Sequence, residues 1–102
     1  SSGNNAAVIG SALLKLGTET KMSRIVQDIG SLRQYVRSLN DRIDAMKRSI
    51  LQHKIDAMKT RSAVEKEMYL GFVSEYNDQV CDLKSQLEEV KNTMKELAEK
   101  LD

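Results

Sequence analysis

The chain contains no proline and no tryptophan, and its 102 residues include only three tyrosines and one phenylalanine. Without proline, no residue obliges a helix to stop. Compact domains take much of their buried area from aromatic rings, so this scarcity argues against a globular core. There is one cysteine, Cys81, and one histidine, His53. An intrachain disulfide and a Cys/His metal set are therefore both excluded. A lone thiol suits a reducing, intracellular setting, and the cytoplasm is the expected compartment. No glycine-rich loop stands ready to cradle phosphates, and no nucleophile, base and orienting group share a pocket. The sequence thus predicts no catalytic residue, no cofactor and no metal, and the chain is not expected to be an enzyme.

What the chain does have is heptad order. From Met22 to Ile50 the apolar residues recur at alternating gaps of three and four: Met22, Ile25, Ile29, Leu32, Val36, Leu39, Ile43, Met46 and Ile50. In heptad letters, 22, 29, 36, 43 and 50 are a positions, and 25, 32, 39 and 46 are d positions. This spacing puts every one of these side chains on one narrow stripe of an α-helix, the width of a coiled-coil seam. A second clean run follows: Val80, Leu83, Leu87, Val90, Met94, Leu97 and Leu101. β-branched residues at a with Leu at d favour a parallel two-stranded coil. The expected fold is all-α: a long coiled-coil rod over 18–102, pairing as a parallel homodimer. Without a turn cluster, its single helix of about 80 residues would be ~120 Å long.

Between the two runs the phase changes. Ile43-Asp44-Ala45-Met46-Lys47 recurs as Ile55-Asp56-Ala57-Met58-Lys59. Twelve residues rotate the second copy by about a third of a turn, which a strict heptad does not absorb. If Ile55 and Met58 resume a and d, the frame jumps between Ile50 and Leu51, and again between Tyr76 and Val80. Continuing the first frame instead puts His53, Ala57 and Thr60 on the seam. Either way a register break is expected around 50–79. The alternative architecture is an antiparallel helical hairpin, bent near Lys59–Ser62 or Gly71. It would set a basic half beside an acidic one: Arg33–Arg61 holds eight basic and three acidic side chains, while Ser62–Val80 is net −3 and Cys81–Asp102 net −2.

The N-terminal segment reads differently. The chain opens Ser1-Ser2-Gly3 without Met, the pattern of a piece excised from a longer protein, and its first five residues are expected to be disordered. Ala6–Leu16 places Val8, Ile9, Leu13 and Leu16 on one helical face. Gly17 suits the position after a helix end and Thr18 an N-cap, so a polar tail followed by a short separate amphipathic helix is expected over 1–17. This helix is one candidate partner-binding site. The other is the 68–76 region, where Tyr69, Leu70, Phe72 and Val73 make a turn apolar nearly all round. Gly71 within it marks a kink or a close backbone approach. His53 reads as a polar seam or flank residue, and Cys81 as a packed thiol beside Val80.

A net charge of +1 gives no global attraction to nucleic acid. The basic zone carries its own apolar seam and is interrupted by Asp41, Asp44 and Asp56, unlike a DNA-reading basic helix ahead of a zipper. The longest apolar stretch, Ala6–Leu16, falls short of the ~20 residues that cross a bilayer. No nucleic acid and no membrane partner are expected. The functional expectation is a dimerisation and protein-interaction module of a larger scaffold or adaptor, in the cytoskeleton, cell division or vesicle tethering. The alternative is the coiled-coil core of a membrane-fusion subunit with an apolar N-terminus.

Overall fold

The computed structural model describes the backbone of residues 2–102, and side-chain environments at 5 and from 8 onward. It contains two helices, α1 (Ser2–Lys59) and α2 (Ala63–Glu99), packed along one another as an antiparallel hairpin. The molecule measures 93 × 16 × 14 Å. The single ~120 Å helix expected over 18–102 is not formed, because the chain reverses at Thr60–Ser62.

Neither the break expected at Gly17-Thr18 nor a polar tail ahead of it interrupts α1, which runs from Ser2 through both. The reason is local. The Thr18 hydroxyl donates to the Leu14 carbonyl (3.0 Å), one turn back, and Thr20 donates likewise to Leu16 (2.9 Å). A threonine bonded backwards in this way continues a helix rather than capping a new one. Gly71 does not break α2 either. A methyl group built there would meet nothing within 4 Å, so no backbone approaches closely.

The reversal is fixed by side-chain hydrogen bonds rather than by glycine or proline. Ser62 is the N-cap of α2, with extended backbone, and its hydroxyl accepts from the Glu65 amide at 3.2 Å. The Thr60 hydroxyl donates to the Glu65 carboxylate (2.7 Å) and accepts from the Ser62 amide (3.2 Å). Ser62 and Glu65 thus form a capping box whose return arm passes through Thr60.

Seam registers explain why the chain must turn. In α1 the first frame continues unbroken, adding half-buried His53, buried Ala57 and half-buried Thr60 after Ile50. The competing frame fails: Leu51 is exposed, and Met58 is 84% exposed. In α2 the seam is Tyr69, Val73, Tyr76 and Val80, then on to Leu101, also without a step. A frame resumed at Ile55 and Met58 would run through Phe72 to Tyr76; buried Val73 lines the seam instead, which removes the expected slip before Val80. Carried past Thr60, the frame of α1 would be two residues out of step with that of α2. Two residues are about 200° of rotation, so on a continuous helix the two stripes would face opposite sides. A chain reversal brings them face to face.

Leu39 (0% exposed), Ile43, Ile50, Val73, Val80 and Leu83 form the buried cluster, with Met46, Tyr76, Leu87 and Val90 packed against it. The stripe assigned to a second copy is therefore covered by the same chain from Ile25 to Ala57. Only Met22, at its N-terminal end, stays exposed.

Candidate interaction surface

Pairing across the seam sets which faces are free. Tyr35 donates to the Gln86 side chain at 3.5 Å. Arg42, Met46, Gln79, Asp82, Leu83 and Gln86 line one shallow surface depression. Tyr35, Arg42, Gln79 and Gln86 are all g positions, so g faces g along one side, as antiparallel packing requires. The e positions must meet along the other side. The pairing also puts Leu101, near the end of the chain, level with about residue 21 of α1. Some 28 Å of α1 then projects beyond α2.

This projection carries the first candidate site. Val8, Ile9, Leu13 and Leu16 are between 59% and 68% exposed. Ile9 and Leu16 fall at b and Leu13 at f, the side of α1 facing away from α2; Val8 continues the line of the seam. Ala6, where the stretch begins, lies outside the residues whose side chains are described. An isolated helix of this length is marginal in water, so an apolar face here gains from a partner.

The second candidate site divides. Val73 is buried and Tyr69 half-buried, both consumed by the hairpin seam, while Leu70 and Phe72 keep exposed surface. What covers this turn from the inside is His53. Its ring lies 6.2 Å from Tyr69 and 5.5 Å from Tyr76, each tilted 25°, and 5.2 Å from Phe72. These separations are those of favourable ring packing. The apolar turn at 68–73 is thus explained by an imidazole on the opposite helix. The sequence leaves this histidine on the seam or its flank; the three rings around it come from the opposite helix.

His53 Nδ1 is buried there with no hydrogen-bond partner. A buried unsatisfied polar atom costs about 1–3 kcal/mol, partly offset here by ring stacking. Replacing His53 by leucine is expected to stabilise the hairpin by about 1 kcal/mol, read as a higher midpoint in thermal or urea unfolding. An unchanged or lower midpoint would show that the ring contacts outweigh the orphaned nitrogen.

Cys81 is exposed rather than packed. Among the described residues, no group of His, Cys, Asp and Glu side chains could hold a metal ion, and no helix is long and apolar enough to cross a membrane. No protein-family model, no curated protein and no solved structure matches this chain.

Proposed function

We propose that the chain is a non-enzymatic dimerisation and protein-interaction module, a part of a larger scaffold or adaptor. The hairpin is the rigid body and the projecting end of α1 is its docking element. The observation that carries this reading is the apolar face of Val8, Ile9, Leu13 and Leu16, held out where α2 does not reach. Most of the seam shields itself within one chain, so it is not what joins two molecules. The projection is long enough for about five helical turns of contact. Its b and f face points away from the hairpin, so a partner helix can dock without disturbing the seam.

Comparing the full chain with residues 18–102 tests this. Loss of residues 1–17 is expected to leave the unfolding midpoint of the hairpin nearly unchanged, because the removed segment contributes nothing to the buried cluster. At about 0.5 M salt, where contacts between exposed charges are screened, the mass in light scattering is expected to fall from dimer to monomer. Equal masses for the two chains would defeat the proposal.

A further inference from the structure

The two long sides of the hairpin differ in charge, and the difference is visible only once the register is known. Along the side where e meets e, the register set by Tyr35 and Gln86 places these residues of α1 and α2 opposite one another: Val26 with Ala98, Arg33 with Lys91, Asn40 with Lys84, Lys47 with Asn77 and Lys54 with Leu70. Every charge on these rungs is positive; the b positions flanking them on the same side add Arg37 and Lys95 and also Asp44, Glu67 and Glu88, which leaves the side mixed but net positive. Arg33 and Lys91 share one rung, and this like-charge pairing is offset only in part by Glu88, three residues before Lys91 on the same side. All these cations are exposed. On the opposite side, the c positions of α2 are Glu75, Asp82, Glu89 and Glu96, all exposed and all carboxylates. Both ladders have the same seven-residue period, about 10.5 Å.

They also stand at matching heights. Lys84 and Asp82 are two residues apart on α2, as are Lys91 and Glu89, so each pair is offset by about 3 Å along the rod. By the Tyr35–Gln86 pairing, Lys47 and Glu75 are level. Exposed apolar residues repeat the correspondence: Leu51 and Leu70 stand at the height of Met68 and Phe72, one pair on each side. A copy moved sideways without sliding therefore lays carboxylates over cations and apolar surface over apolar surface.

From this we propose that the e side of one hairpin binds the α2 carboxylate side of a second copy, parallel and in register, with all turns at one end. Two different surfaces meet, so the contact is heterologous and each added copy leaves a free side. Assembly runs past the dimer into larger stacks or a closed ring. The contact is separate from the projecting end of α1 and does not depend on it. Ion pairs at this exposed interface are weakened by salt, which gives the assembly a marked dependence on ionic strength.

Two full-length variants test the proposal: K47E/K84E/K91E and E75K/D82K/E89K, each checked for wild-type helicity. In low salt, sedimentation velocity is expected to show wild-type species larger than a dimer. These should recede at about 0.5 M salt, where screening acts over ~4 Å. Each variant alone is expected to stop at the dimer or below, because like charges now meet. An equimolar mixture of the two is expected to regain the large species, since reversed e sides then face reversed carboxylate sides. The proposal is overturned if the wild type forms nothing beyond a dimer, or if the mixture stays as small as its components. A wild type that stays at the dimer while it binds a poly-glutamate or DNA probe tightly, with that binding lost in K47E/K84E/K91E, would likewise replace the second copy by a foreign anion.

Discussion

Replacing Leu39 by alanine lowers the stability of the hairpin by about 3 kcal/mol, within the range for a buried Leu→Ala change. Leu39 is fully buried, at the centre of a cluster that has no second layer behind it. In a core one side chain thick, neighbours can collapse into the cavity only by bending a helix. Total stabilities of small domains are on the order of 5–15 kcal/mol, so this single change removes a large share. The matched control is Leu14→Ala, at a residue 76% exposed, which is expected to shift stability by no more than about 0.5 kcal/mol. Urea unfolding followed by circular dichroism separates the two. Similar midpoints for both variants would mean that the Leu39 layer is not the core.

Cutting α2 away has an effect of another kind. Residues 1–59 alone retain the full α1 stripe and lose its cover. The uncovered side chains are then expected to find a second copy, and β-branched a positions with Leu at d direct a parallel pair. The expected signature is a melting temperature that rises with protein concentration, as association requires. The full chain is expected to melt at a temperature set by its intramolecular seam. A fragment that is fully helical, monomeric and indifferent to concentration would show that the stripe needs no partner surface at all.

The stripe itself was legible in the sequence: Ile25 to Ile50 and Val80 to Leu101 all line the seam where the periodicity puts them. What covers it was harder to read. The turn at Thr60–Ser62 contains no glycine or proline, and its signals are the Ser62-x-x-Glu65 capping box and the two-residue phase difference across it. The phase difference was visible, but it read as a slip within a rod rather than as a reason to turn. A polar His53 and a small Ala57 make a weak seam on their own. Their suitability depends on the bulky Tyr69, Phe72 and Tyr76 on the opposite helix, and no single-strand pattern conveys that. Gly17-Thr18 misled for the opposite reason, since a threonine hydroxyl serves equally to cap a helix or to bond back along one. The exposure of Val8, Ile9, Leu13 and Leu16 follows from lengths: α2 is shorter than α1, and nothing in the N-terminal segment itself records that.

One measurement addresses the hairpin directly. Spin labels at 35 and 86, introduced as cysteines in a Cys81→Ser background, report the separation of two residues that lie side by side in this fold. Doubly labelled chain, diluted into excess unlabelled protein, is expected to give one short distance on the order of 10–20 Å, label arms included, since packed helices lie about 8–10 Å apart. A continuous helix would separate the same positions by about 75 Å, and a distance in that range would contradict the fold described here.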